Sequence, residues 1–308
     1  MNLTASIAGI TFPTCIMNAA GARCVTAEEL EAIGNSRTGA IVTKSMTRDA
    51  RDGNPSPRYV AFPHGSINSM GLPNLGHQAY VDLIPRLKEF NKPVIASVAG
   101  FSPDEFVDIA TAIDAVKPDL MEINLSCPNI EGHPQIAYDF DAAEQLLTRI
   151  RKVVNRPMGT KLPPYFDPVH HDHMASILEQ CRVDFISVIN SIGNGLVIDP
   201  ETDAVVIKPK GGFGGLGGAI IKPVALANVR AFALRFQGRI PIIGVGGIET
   251  GQDIYEHLLA GASAVQIGTA FVEEGTQMFA RLEQELTTVL ESKGLQSSTE
   301  AVGRLKEL

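Results

Sequence analysis

The sequence predicts an α/β protein, a (β/α)8 TIM barrel with an N-terminal hairpin and long loops at the C-terminal face of the barrel. Three observations predict it. Eight short apolar, β-rich runs alternate with longer stretches of helical period. The runs are apolar on consecutive residues, the pattern of parallel strands buried on both faces. The chain has 308 residues, which suits one barrel with insertions, since such barrels run to about 250 residues or more as a single unit. One domain over residues 1–308 is therefore expected. Periodicity alone does not close a barrel, so an open doubly wound sheet stays compatible with the pattern.

In chain order, Leu3–Phe12 reads as a hairpin turning at Ala8-Gly9 that plugs the barrel bottom. The eight strands are expected at Cys15–Ala20, Ala40–Ser45, Pro93–Ala99, Leu120–Ser126, Met158–Leu162, Phe185–Asn190, Ile240–Val245 and Ala264–Thr269. Helix starts are legible between them. Thr26 precedes Ala27-Glu28-Glu29-Leu30, and Ser102-Pro103-Asp104-Glu105 combines a capping Ser, Pro at the first helical position and acids in the first turn. Asp139 opens a run to Val154, Thr250 opens a helix ending near Ala260 with Gly261 as its C-cap, and the last helix covers Thr276 to Lys293. Two segments break the alternation. Thr47–Leu75 is rich in Gly, Pro, Asn and Ser, and Ser191–Gly218 contains an expected hairpin of Gly195–Ile198 against Val205–Lys208. Both follow C-terminal strand ends, the barrel face that carries active sites.

Composition bounds the function. Hydrophobic residues make up 44% and charged residues 19%, enough apolar matter for a full core. The net charge is -8 and no basic stripe is present, which argues against nucleic acid and anionic membranes as partners. The N-terminus lacks the blocks of a signal peptide, and no uncharged apolar run approaches the roughly 20 residues of a membrane span, so a cytosolic protein is expected. The four cysteines, Cys15, Cys24, Cys127 and Cys181, form no C-x-x-C pair, so neither zinc nor a cysteine-ligated cluster is signalled. His170-His171-Asp172-His173 is expected to be a solvated helix start, because adjacent residues on one helical turn face different ways. No metal site is expected. His64 and His77 lie in or beside the loop after the second strand.

Polar residues end strand after strand: Lys44-Ser45, Glu122 through Asn129, Lys161, and Asn190-Ser191. A barrel gathers these ends into one ring. Two lysines inside apolar strands imply an anionic ligand, because a buried ammonium without a partner is expensive. Glycine-rich turns at Gly244–Gly247, Gly268-Thr269 and Gly214–Gly218 let backbone amides approach a phosphate. None has the placement of a Rossmann fingerprint, so a flavin mononucleotide or a phosphorylated substrate is favoured over NAD. Cys127, just past the fourth strand, reads as a base near cationic groups. Cys15, Cys24 and Cys181 read as packing residues.

Six runs carry a resemblance to a known family: Met17–Gly21, Arg51–Pro55, Ser66–Asn74, Asn124–Asn129, Asn190–Gly195 and Gly246–Ile248. The chain resembles dihydroorotate dehydrogenases, and is most similar to their soluble class 1A branch, from about Leu3 to Leu308. The resemblance implies FMN-dependent oxidation of dihydroorotate to orotate in de novo pyrimidine biosynthesis, in a homodimer that uses fumarate as electron acceptor. It implies that Ala20, Gly21, Lys44, Ser45, Asn124, Lys161, Ile189, Gly217 and Gly218 surround the flavin, with its phosphate at Gly246, Gly247, Gly268 and Thr269. It implies orotate at Lys44, Asn68, Met70, Gly71, Leu72, Asn124, Asn129, Asn190 and Ser191. Cys127 matches the family's base, expected to take the C5 proton while FMN N5 accepts the C6 hydride. Lys44 and Lys161 complete the implied catalytic set, with Lys161 expected to stabilise charge at the N1/C2 carbonyl edge. The segment near Asn54–Leu72 is expected to order over the substrate and exclude water. Two other readings remain: a class 1B subunit passing electrons to an iron–sulfur/FAD partner, and a non-catalytic flavin-binding barrel.

Overall fold

The computed structural model describes residues 1–126 and 135–308. Its main sheet has eight strands: Ile16–Asn18, Ile41–Val42, Val94–Val98, Leu120–Asn124, Met158–Leu162, Phe185–Val188, Ile242–Val245 and Ala264–Ile267. They are called the first to eighth barrel strands below. Every residue of all eight is buried. Adjacent barrel strands pair in parallel from the second round to the eighth, and the eighth pairs with the first. Between the first and second strands a side chain takes the place of the ladder. Asn18 Nδ2 donates to the Val42 carbonyl at 2.8 Å, and Asn18 Oδ1 accepts from the Val42 amide at 3.0 Å. One fully buried amide thus satisfies both backbone groups at the seam of the barrel.

The expected strands all exist, and the structure trims most of them by two to four residues at their ends. The second is shortest, reduced to Ile41–Val42. Among the described residues eight outer helices cover the sheet. The residues that start them act as read: Thr26 and Thr250 each form a capping box, with Glu29 and Asp253. Ser102 accepts from the Glu105 amide ahead of Pro103. A further, short helix, Thr269–Glu274, stands between the eighth strand and the last long helix, Met278–Ser292. The N-terminal hairpin pairs Ala5–Ile7 with Ile10–Phe12, turning on the left-handed residues Ala8 and Gly9. Its Ile7 and Phe12 are fully buried in the core.

The two irregular segments build a second sheet. Its order is Ile192–Leu196, Phe213–Gly217, Gly65–Asn68, Tyr59–Phe62, all antiparallel. This corrects the expected hairpin. The hairpin forms only near its tip: Ile198–Asp199 pairs with Ala204–Val205 and the Val206 amide donates to the Val197 carbonyl, while Gly195 and Leu196 pair with Gly214 and Phe213. The glycine-rich run supplies the central strand because its close neighbours leave no room for side chains: a Cβ on Gly214 would lie 2.6 Å from the Asn68 carbonyl oxygen. A second correction concerns His171. It is not solvated: it is buried in the helix Pro168–Gln180, in edge contact with Phe232 and Tyr165, and its Nε2 lies 3.1 Å from Asn228 Oδ1. His170 and His173 instead lie beside Phe140. Among the described residues no helix is long and apolar enough to cross a membrane, and no group of three or more His, Cys, Asp or Glu side chains is placed to hold a metal ion.

Candidate active site

A cavity of about 370 Å³ opens at the C-terminal ends of the barrel strands. That lies within the roughly 300–1,000 Å³ of small-molecule and cofactor sites. The ends of the first, second, fifth, sixth, seventh and eighth strands supply its floor, and the second sheet supplies Tyr59, Ser66, Asn68 and Gly217 above them. Strand pairing holds these positions, so side chains far apart in the chain are fixed on one rigid frame.

The structure brings most of the expected residues together. Ala20, Gly21, Lys44, Ser45, Lys161, Ile189, Gly217, Gly218, Gly246, Gly247, Gly268 and Thr269 line the cavity. So do Asn68, Met70, Leu72, Asn190 and Ser191. Two expected residues do not. Asn124 sits behind the wall, where its Nδ2 donates to Ser45 Oγ at 3.1 Å and its Oδ1 accepts from Ser126 N and Oγ, each at 3.1 Å. Gly71 supports its neighbours: it adopts φ +74°, and a Cβ there would strike Asn54 Oδ1 at 2.4 Å. Cys127 and Asn129 lie outside the described residues. His64 and His77 do not line the cavity; His77 Nδ1 instead lies 2.8 Å from the Arg48 carbonyl.

Reading the residues alone missed Gln266, Tyr59 and Ser66. Gln266 is a lone amide in an apolar strand, and that oddity was the available signal. Tyr59 and Ser66 belong to the second sheet, which the sequence did not announce.

One end of the cavity is cationic. Lys44 is 5% exposed and Lys161 is 6% exposed. Lys44 Nζ donates to the Gly21 carbonyl, and Lys161 Nζ donates to Gln266 Oε1 at 2.9 Å. Burial lowers the proton affinity of Lys161, and the nearby Glu122 carboxylate opposes that loss. Two buried donors beside the backbone of Gly21 suit a flat ligand with carbonyl or carboxylate oxygens at its edge.

The other end is a cradle of bare backbone. Gly246 and Gly247 have φ of +122° and +72°, and a Cβ on Gly247 would lie 2.3 Å from Lys222 Cβ. A Cβ on Gly217 would lie 2.8 Å from Thr269 Oγ1. Side chains are thus excluded where the loop after the seventh strand, the start of the short helix and the central strand of the second sheet converge. His257 braces the loop from behind: its Nε2–H donates to the Gly246 carbonyl at 3.0 Å. Burial pushes this imidazole down to about 4, so it is neutral, with a bare Nδ1 that has no partner among the described groups.

A parallel eight-stranded barrel with glycine-lined loops after its seventh and eighth strands is the architecture of barrels that bind phosphate-bearing ligands at this face. The dihydroorotate dehydrogenase family model matches residues 2–290, and the chain belongs to that family. It is 51% identical over 310 aligned positions to the dihydroorotate dehydrogenase A (fumarate) of Lactococcus lactis subsp. cremoris strain MG1363, covering 99% of this chain and 100% of that one. It is 50% identical to the dihydroorotate dehydrogenase (fumarate) of Kluyveromyces lactis, covering 100% and 99%. The crystal structure of DHODH in complex with ferulenol from Eimeria tenella shares the fold, with a TM-score of 0.83 over 98% of this chain and 88% of that one, at 22% identity.

Proposed function

We propose that this chain oxidises dihydroorotate to orotate with FMN as cofactor and fumarate as electron acceptor, in the manner of a class 1A enzyme of pyrimidine biosynthesis. The carrying observation is the bipolar cavity: two buried lysines at one end, a side-chain-free glycine cradle at the other, and an apolar wall between them. The reading is supported by full-length identity of about half to relatives that bear the fumarate designation.

The residues present fit a flavin mononucleotide. The cradle of Gly246, Gly247, Gly268 and Thr269 would hold its phosphate, because these residues line the cavity and glycine lets backbone N–H groups come close to an anion. Ala20, Gly21, Ser45, Ile189, Gly217 and Gly218 would flank the ring, and Lys161 would face its polar pyrimidine edge. When bound, the flavin supplies the acceptor for the hydride that leaves dihydroorotate.

The chain's own groups do the rest. Lys44 and Asn68 would present donors to the carboxylate and ring carbonyls of the substrate, with Met70, Leu72, Asn190 and Ser191 closing the pocket. Asn129 belongs to the same proposed set. Asn68 Nδ2 donates to the Gly215 carbonyl at 3.2 Å, which ties its amide to the second sheet and fixes its orientation. Cys127 is the proposed base for the C5 proton. That placement rests on its position three residues after Asn124 and on the family resemblance. Asn54 Nδ2 donates to the Ser69 carbonyl at 2.9 Å, and the Asn54 amide donates to the Met70 carbonyl at 2.9 Å, so the segment from Asn54 to Leu72 is stitched to itself beside the cavity. This packing keeps water from the reacting carbons. The 308 residues act as one FMN-binding barrel, in a cytoplasmic homodimer.

Heat or acid release of the cofactor from purified protein, followed by mass measurement, tests the first half of this reading: FMN is expected, and FAD or no flavin would refute it. Orotate formed in proportion to succinate, with dihydroorotate and fumarate as sole reactants, tests the second half.

A further inference from the structure

Beneath the cavity a chain of buried polar groups runs across the barrel interior. Lys161 on the fifth strand donates to Gln266 Oε1 on the eighth at 2.9 Å. Gln266 Nε2 donates to Glu122 Oε2 on the fourth at 2.9 Å, and Ser187 Oγ on the sixth donates to the same oxygen at 2.7 Å. Ser97 Oγ on the third lies 3.4 Å from Glu122 Oε1. Glu122, Gln266, Ser187 and Ser97 are all 0% exposed. Lys161 and Gln266 reach the cavity, whereas Glu122 does not line it.

The chemistry of each link sets its direction. An ionised carboxylate only accepts, so the Gln266 NH2 must face Glu122 and its carbonyl must face Lys161. A direct Lys161–Glu122 ion pair would draw the ammonium down into the barrel. The neutral amide between them takes one of the three ammonium donors, and among the described residues the other two are open to a ligand in the cavity.

A buried cation also needs an opposing charge, because taking an ammonium out of water is unfavourable unless it is paired. Among the described residues the charged groups within influence are few. Lys44, from the loop that continues the second strand, shares the cavity and repels. Cys24, in the loop after the first strand, cannot compensate: burial pushes its thiol up to about 12, so it stays neutral. Glu122 is left as the anion that balances Lys161.

We propose that Glu122 is a positioning residue for the reaction: acting through Gln266, it keeps the Lys161 ammonium charged and aimed at the cofactor's pyrimidine edge. The inference rests on the reading that a flavin occupies this cavity. The carboxylate lies outside the cavity wall, yet it governs whether the cation at that edge holds its proton.

Glu122→Gln keeps the shape and removes the charge. Its FMN-loaded form is compared with wild type from pH 6 to 10 by flavin absorbance, by FMN dissociation constant and by anaerobic flavin reduction with dihydroorotate. The expected result is an alkaline limb in all three whose midpoint lies at least about one unit below that of wild type. The reduction rate would then be about tenfold lower at pH 9 relative to pH 7, when wild type changes little. Glu122→Asp should restore most of the wild-type profile. Profiles that superimpose on wild type would overturn the proposal.

If Glu122→Gln does not load cofactor, Gln266→Met, which breaks both links at similar volume, carries the same expectation and the same refutation. Collapse of both variants would make the network a structural element of the barrel, and would equally overturn the proposal. Wild-type protein that binds no flavin would instead refute the functional reading beneath it.

Discussion

Asn190 Nδ2 donates to the Ser126 carbonyl at 2.8 Å and lies 3.0 Å from Ser126 Oγ, so one amide ties the end of the sixth barrel strand to the residue before Cys127. Asn190 is itself held, since its amide N donates to the Leu162 carbonyl at 2.8 Å and its Oδ1 accepts from the Ser191 amide at 2.8 Å. The same side chain lines the cavity. The proposed substrate contact and the approach to the proposed base therefore meet in one residue.

Asn190→Ala leaves a partly buried carbonyl without its donor, a loss of about 1–3 kcal/mol. Loosening the segment that leads to Cys127 should separately lower kcat/KM by up to about 100-fold, with FMN retained. Asn190→Asp should be no better despite its matching shape, because a carboxylate cannot donate to the Ser126 carbonyl. Steady-state kinetics of the two variants, with flavin content measured alongside, check the assignment; an aspartate variant of near wild-type activity would remove it.

Cys127 carries the proposed proton abstraction. Cys127→Ala should bind FMN normally and slow flavin reduction by about 10²–10⁴-fold, the usual range for a lost general base. Stopped-flow reduction of the variant decides this, and a rate close to wild type would assign the base elsewhere.

Gly247 marks the cradle. Its φ of +72° and the 2.3 Å approach of a built Cβ to Lys222 Cβ leave no place for a methyl group. Gly247→Ala should therefore lose FMN affinity by at least about tenfold, through a shifted loop. Gly238 has φ +82° but nothing within 4 Å of its built Cβ. Gly238→Ala should carry the backbone strain without the cofactor defect, which separates the two effects by fluorescence titration.

His257 predicts a pH dependence. Its folded-state value of about 4 lies below the ordinary 6.5 because burial disfavours the charged form. The unfolded chain therefore takes up this proton first as pH falls. Stability from the neutral imidazole is complete above about 6.5, declines below it, and is lost as pH falls through about 4, up to about 3 kcal/mol in all. Because the charged ring is disfavoured in its buried place behind the Gly246 loop, FMN release should accompany the decline. Thermal melts with flavin fluorescence between pH 7 and 4 measure both, and His257→Gln should flatten the curve.

The barrel was legible because buried parallel strands write themselves as unbroken apolar runs. Met158–Leu162 was read to the residue, even with Lys161 inside it. The cationic and glycine-rich ends of the cavity were legible for the same reason: charge and glycine are anomalous in such strands. Other features left little trace. The closure by Asn18 depends on where Val42 falls across the seam, which no local pattern encodes. The second sheet takes its central strand, Phe213–Gly217, from glycine-rich backbone that reads as loop, with no alternation to betray it. The hydrogen bonds of Asn124 to Ser45 and Ser126 also left no trace in the sequence, because they turn on side-chain direction at a strand end.

The central claim is that dihydroorotate delivers its electrons to a flavin held in this cavity. Anaerobic mixing of the purified yellow protein with dihydroorotate, followed by fumarate, tests it most directly. The flavin absorbance should bleach with one equivalent of orotate formed, then recover on fumarate addition with one equivalent of succinate. A protein whose flavin colour dihydroorotate leaves unchanged would contradict the account.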